Sequence, residues 1–300
     1  MIRNFTWEDL SNLCSLMNIV HAADGDPHTI DDIFLRTWLT QPGWTPLQDC
    51  WLVEENGRVV GYSILHQELP IGRTVLELGI EASYSSNHIQ SAIIQQGLSR
   101  AQELGSQVLH ICTSPGSSLI SVLDAQGFCY KRCYWLMRWG GTQVALPDPA
   151  NNVVISAFQD GDAAKLTLVQ NESFEGSWGF CANTVEQIDY RTRMAANYPH
   201  GIFFICQNNH TAGYCWTYVT GNSTQPIGAI GMIGITPAYR GKGLSKQLLL
   251  TGMNYLCASG VQDVRLDVDG GNIAAIGLYE SVGFEKVGEL HWFEAVLSVT

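Results

Sequence analysis

Positive charge is scarce in this chain. Sixteen Lys and Arg stand against 28 Asp and Glu over 300 residues, a formal charge of −12. Such a field repels nucleic-acid phosphates and anionic lipid and draws cationic groups, so neither nucleic acid nor membrane is an expected partner. Long apolar runs are missing too: none approaches the roughly 18–20 residues a bilayer span needs. The opening "MIRNFTWEDLSNL" carries acidic residues where a secretory leader would be apolar, and a cytoplasmic location is the expectation. Paired cysteines are absent as well. The nine Cys include no CxxC, and Cys129 and Cys133, four apart, are followed by no second Cys or His pair at zinc-site spacing. Reduced thiols in apolar surroundings, such as Cys112, Cys206, Cys215 and Cys257, are expected, and no metal.

What remains is a globular composition, 46% hydrophobic, at a length that suits two domains of about 150 residues. Near the middle, "RWGGTQVALPDPANNVV" is rich in Gly, Pro and Asn and lacks periodic hydrophobicity. It divides the chain into 1–140, a linker over 141–152, and 153–300. The two sides rhyme. In the first, "CWLVEENGRVVGYSIL" predicts strand, Asn-Gly turn, strand; then come a strand over 74–84, a helix over 89–105 and a strand over 108–113. A helical "SLISVLDAQGF" follows, then "YWLMRW". In the second, 201–219 predicts a hairpin, 226–236 a strand, 243–260 a helix stopped by Gly260 and 261–268 a strand. A helix over 272–284 and a closing strand "KVGELHWFEAVL" complete it.

Between strand 226–236 and helix 243–260 lies "AYRGKGLSK". Strand, Gly-rich loop, helix is a geometry in which backbone N–H groups and the helix dipole converge on an anion. Gly241 and Gly243 let a phosphate approach the backbone, and Lys242 and Lys246 add charge. It is not a P-loop, since Thr236 stands where the first glycine belongs, nor a dinucleotide fingerprint, since Lys246 takes the third glycine position. A plain strand-to-helix turn is the bland alternative.

Two motifs in order carry more. Arg240-Gly241-Lys242-Gly243-Leu244-Ser245 resembles the acetyl-CoA-binding signature [QR]-x-x-G-x-[GA] of the GCN5-related N-acetyltransferases (GNAT), with Ser245 in the last small position. Downstream, "NIAAIGLYESVGF" is similar to that family's N-x-x-A-x-x-x-Y-x-x-x-G-F through Asn272, Ala275, Tyr279, Gly283 and Phe284. The resemblance covers 153–300 strongly. It implies an α/β (α+β) fold of two tandem GNAT-like domains, each a mixed, mostly antiparallel sheet flanked by helices. It also implies acetyl-CoA as cofactor and a small amine or peptide as substrate. The backbone at Ile233 and Ile235 would pair with the pantetheine arm. Backbone N–H groups of Gly241, Gly243, Ser245 and Lys246 would cradle the pyrophosphate, with Arg240, Lys242, Leu244 and Ala275 completing the set. Asn272 would hold the pantetheine where two parallel strands splay, and Tyr279 would protonate the departing thiolate. A thiol of pKa about 8.5 needs only modest help to leave, so a phenol of pKa about 10 suffices.

The first half keeps the architecture without these residues. Ser86 and His88 stand for the two glycines, and Gly116, Leu119 and Leu123 for Asn272, Ala275 and Tyr279, so 1–140 reads as a degenerate copy. In length and in one well-kept C-terminal site the chain is similar to tandem members of the family, the mycothiol synthases among them. Its segment 171–187, expected to line the acceptor cleft, lacks a His-Pro-Glu run and instead offers Glu172, Glu175 and Trp178 beside Phe174 and Phe180. An alkylamine needs a proton acceptor, yet "PIGAIGMIGI" carries no carboxylate. Glu172, Glu175, Asp267 and Asp269 stay open as candidates. An N-acetyltransferase is the first reading; a non-catalytic acyl-CoA-binding or sensing module is the second, and Tyr279 with Asn272 favours the first.

Overall fold

Strict alternation of side chains builds the sheets. Along "CWLVEE", Cys50 and Leu52 join one core with Tyr62 and Ile64, while Trp51 and Val53 join another with Leu65 and Leu76 on the opposite face. A computed structural model of the protein describes residues 1–23, 25, 29–145, 152–194, 200–222 and 225–297. Its contacts separate two units, Met1–Tyr134 with Glu289–Thr300, and Trp135–Gly288.

The first unit opens with β1 (Ile2–Asn4), α1 (Leu10–Ala23), α2 (Asp32–Leu39) and α3 (Pro46–Asp49). Strands β2 (Cys50–Glu55) and β3 (Arg58–Glu68) meet at Asn56-Gly57, both at positive φ, which closes a tight antiparallel hairpin. Strand β4 (Arg73–Ile80) pairs antiparallel to β3 and, over Arg73–Val75 alone, parallel to β5 (Val108–Thr113). Helix α4 (Asn87–Glu103) is the crossover between them, and α5 (Leu119–Ala125) precedes β6 (Cys129–Gly140).

The second unit repeats the plan. Strand β7 (Val153–Ala157), helices α6 (Ala163–Phe174) and α7 (Val185–Met194), then β8 (His200–Gln207), β9 (His210–Asn222) and β10 (Gln225–Ile235) pair antiparallel in the order β7-β8-β9-β10. Crossover helix α8 (Leu244–Ala258) leads to β11 (Asp263–Asp269), parallel to β10. Helix α9 (Ile273–Glu280) and strand β12 (Glu285–Val296) finish the chain. Helix α8 lies tight on the sheet: a Cβ at Gly252 would stand 2.8 Å from Cys215 Sγ and 3.0 Å from Thr217 Cγ2.

The units do not follow the division expected at 140 and 153. From Trp135 on, β6 belongs to the second unit, where Met137, 1% exposed, and Trp135 and Trp139 pack in its core. From Glu289 on, β12 belongs to the first, where His291–Val296 pair antiparallel with β5 and bury Phe293 and Ala295. Strand β6 thus passes from the first unit into the second at Trp135, and β12 from the second into the first at Glu289. Of the expected linker 141–152, residues 146–151 lie outside the described residues. No helix among the described residues is long and apolar enough to cross a membrane.

Candidate active site at the C-terminal end of the parallel pair

Parallel strands that part create an opening lined by backbone. β10 pairs with β11 only at Ile227–Ala229 against Asp263–Arg265; from Ile230 to Ile235 its described pairing is to β9 alone. Past Ala229 one edge of β10 therefore has no described strand partner and keeps donors and acceptors for an extended, amide-bearing chain, while Ile235 O is taken by Arg240. Register shifts between Ile230 and Met232, a bulge at Gly231 that tilts the strand end.

The loop after β10 reaches α8 through Gly241 and Gly243, at φ +75° and +76°, a left-handed backbone with open space where a Cβ would point. Gly243 is the N-cap of α8 and has no side chain to accept from the helix's first turn. Those N–H groups and the positive end of the dipole are thus left for an anion. The equivalent helix of the first unit starts differently. At α4 the Ser86 side chain accepts from Ile89 N at 3.4 Å, and buried Gln90 donates to Ser85 Oγ at 3.0 Å and to Ser118 Oγ at 3.3 Å. Side chains occupy there the place that glycines leave open in α8.

The expected residues meet unevenly. Ile235, Leu244 and Tyr279 are buried in one cluster, with Ile233 and Ala275 packed on it. Tyr279 is 6% exposed, beside Phe284. Burial, with buried Cys215 adding to it, pushes the Tyr279 hydroxyl well above the usual tyrosine pKa, so it holds its proton. Asn272 caps α9, its Oδ1 accepting from Ala275 N at 3.1 Å, and its own N–H donates to Asp269 O. Ser245 and Lys246 lie in the first turn of α8, Lys246 exposed.

Arg240 and Lys242 are engaged elsewhere. Arg240 Nε donates to Ile235 O at 3.1 Å and Nη2 to Ser173 O at 2.9 Å, tying the last turn of α6 to the end of β10. Lys242 donates to Ala238 O at 3.1 Å and stands over the Tyr239 ring. Glu172 and Glu175 are exposed at the end of α6, and Trp178 is half-buried beyond it. Phe174 packs against Phe180 and Tyr214, which makes it part of the wall.

Sequence reasoning passed over the polar groups beneath α6. Gln170, 1% exposed, donates to Met232 Sδ at 3.1 Å, as Tyr214 Oη does at 3.6 Å. Gln170 Oε1 and Ser173 Oγ are buried without a partner, and a Cβ at Gly234 would touch Ser173. Tyr218, half-buried, has its hydroxyl pushed up to about 12 by desolvation. Nothing in the sequence marked Gln170 and Ser173, which become distinct only once packing buries them. Among the described residues no group of three or more His, Cys, Asp and Glu is placed to hold a metal.

An uncapped helix start, an open strand edge and a buried, protonated tyrosine together suit a pyrophosphate-bearing thioester. Residues 164–284 match the Acetyltransferase (GNAT) family. The chain is 27% identical over 243 residues to the mycothiol acetyltransferase of Stackebrandtia nassauensis, covering 78% of each, and 26% identical over 295 residues to that of an Arthrobacter species, covering 93% and 90%. Among solved structures it resembles a GCN5-related N-acetyltransferase from Sphaerobacter thermophilus (TM-score 0.75, 18% identity, 99% and 95% covered). It also resembles a tandem GNAT protein of the clavulanic acid biosynthesis pathway (TM-score 0.76, 15% identity, 100% and 99% covered). The strand, loop, helix and tyrosine all lie inside the matched residues, so residues 164–284 form a GNAT domain.

Proposed function

We propose that the second unit transfers an acetyl group from acetyl-CoA to the primary amine of a small molecule, with Tyr279 as proton donor to the leaving thiolate. The observation that carries this is the α8 start, where Gly243 at the N-cap has no side chain to accept from the first turn, set beside β10 past Ala229, whose second edge has no described strand partner. Bound acetyl-CoA would supply an acyl group already activated as a thioester. The backbone N–H groups of Gly241, Gly243, Ser245 and Lys246 hold the pyrophosphate. The backbone of Ile233 and Ile235 aligns the pantetheine arm, and Asn272 and Ala275 flank it at the start of α9.

Tyr279 then keeps a proton at Oη until a thiolate needs it, which burial ensures at neutral pH. A transfer needs the amine neutral when it attacks, and β10 offers no carboxylate to accept its proton. The amine's site is formed at the end of α6, where Arg240 fixes Ser173 beside Gly234, with Phe174 and Trp178 as apolar surface. The relatives named mycothiol acetyltransferase point to a mycothiol-related amine.

The test is an acetyl-transfer assay over an amine panel that includes the mycothiol precursor lacking the acetyl group, with products weighed by mass spectrometry. Acetylated amine is the expected product. Tight acetyl-CoA binding with no acyl transfer to any amine would sink the assignment in favour of a binding module.

A further inference from the structure

A carboxylate missing from β10 stands on the strand beside it. Side chains alternate along β11: Val264, Leu266 and Val268 are buried in the cluster that α8 covers. Asp263, Arg265, Asp267 and Asp269 therefore take the opposite face. That face is the one α6 covers. Arg265 is level with Ala229, Ala229 with Tyr218 and Met232 with Trp216, and Trp216, Tyr218 and Met232 pack in the cluster of α6.

Arg265 is the last residue of β11 paired with β10. Two residues on, Asp267 comes level with the bulge at Gly231, where β10 has no described strand partner on that side. Paired strands lie about 4.8 Å apart and parting strands more, so this carboxylate is within reach of an amine held over Met232. Asp267 is exposed, which gives a proton taken there a path to solvent. Acceptors gather on the same face of β10: Gln170 Oε1 and Ser173 Oγ are buried without a partner, Ser173 against Gly234.

The neighbouring acids are placed differently. Asp263 lies within the paired stretch, 3.1 Å from Arg138 and 3.2 Å from Arg265. Asp269 shapes the turn into α9, its Oδ1 accepting from Gly271 N at 2.9 Å and its carbonyl from Asn272 N at 2.8 Å. On α6 the buried Gln170 and Ser173 face the sheet, which turns exposed Glu172 away from it. Glu175 is exposed beyond the last turn.

We propose that Asp267 is the general base of acetyl transfer in the second unit, an inference that rests on that transfer being its reaction. Asp267 takes a proton from the amine nitrogen as that nitrogen bonds to the thioester carbonyl carbon. Tyr279 gives a proton to the sulfur as the C–S bond breaks with its electron pair. The products are an amide and a free thiol; Asp267 releases its proton to solvent and Tyr279 regains one, so the protons balance.

The experiment uses the full chain with the mycothiol precursor lacking the acetyl group as acceptor. Asp267→Asn is expected to lower kcat by about 10²-fold or more, with acetyl-CoA affinity unchanged by calorimetry. In Asp267→Ala, sodium formate is expected to restore part of kcat and sodium chloride none, a rescue that a structural role would not give. Undiminished kcat in Asp267→Asn, a parallel fall in its acetyl-CoA affinity, or no response to formate overturns the proposal while the transfer itself stands. So does a loss of that size confined to Asp269→Asn or Glu175→Gln. No acetylated product from the parent chain removes the reaction and its base together.

Discussion

Tyr279 combines two properties that a proton donor needs, a hydroxyl at a defined place and a proton kept against neutral solvent. Burial, the largest influence on it, raises its pKa, so the protonated form persists up to and beyond the ordinary tyrosine value of about 10. The sign has a consequence for pH. A group with a raised pKa loses its proton later on the alkaline side, so Tyr279 should add no falling limb to kcat below pH about 10. Tyr279→Phe should lower kcat by at most the roughly 10²–10⁴-fold of general acid catalysis, with acetyl-CoA affinity nearly constant. Unchanged kcat with chemistry rate-limiting would place the donor elsewhere. Arg240 is the contrasting case. Its guanidinium spans two carbonyls, Ile235 O and Ser173 O. Arg240→Ala should therefore cost about 1–3 kcal/mol in urea unfolding, and Arg240→Lys should recover little, since an ammonium cannot fork. If Arg240 instead held phosphate, Arg240→Lys would cut acetyl-CoA affinity and leave stability alone.

The two crossover helices differ at the first residue. Helix α4 starts on Ser86, whose oxygen takes one of the orphan N–H groups; α8 starts on Gly243, which can take none. Gly243→Glu puts a carboxylate and a strained left-handed side chain where phosphate would lie, so acetyl-CoA should bind at least about tenfold more weakly by calorimetry. Ser86→Ala should cost about 1 kcal/mol of stability and leave that affinity unchanged. A matching loss of affinity in Ser86→Ala would mean that the first unit binds the cofactor as well. Elements such as α8, α9 and both hairpins were legible because Gly, Asn and apolar period mark their ends. So was the loop, where glycine is a direct record of backbone conformation. The polar floor under α6 was not legible, since Gln170 and Ser173 look like any soluble helix positions until packing buries them. Nor were the Arg240 contacts: Arg at a phosphate loop reads as a charge, and only the path of α6 reveals two carbonyls within its reach.

At the scale of the molecule, sequence order and core membership part company at the two closing strands. Trp135, Met137 and Trp139 lie before the expected boundary near 153 and pack in the core of the second unit, and nothing in "YWLMRW" says which strands it will join. Periodicity fixes that a strand exists and which side chains it buries; its partner depends on the apolar surfaces left uncovered after both halves form. An isolated 153–300 fragment therefore combines two defects. It lacks Met137, whose loss alone is worth about 2–5 kcal/mol, together with the rest of β6. It also carries Phe293, Ala295 and Leu297, which the first unit buries, with nothing to cover them. Against a domain stability of about 5–15 kcal/mol, the fragment should expose apolar surface and unfold without a cooperative transition. A 135–288 fragment, which keeps the strand and drops the surplus, should give the better dispersed amide spectrum and the sharper melt. If 153–300 melts as cooperatively as 135–288 and acetylates the same amine with unaltered KM, each half closes its own sheet and the exchange has no energetic weight.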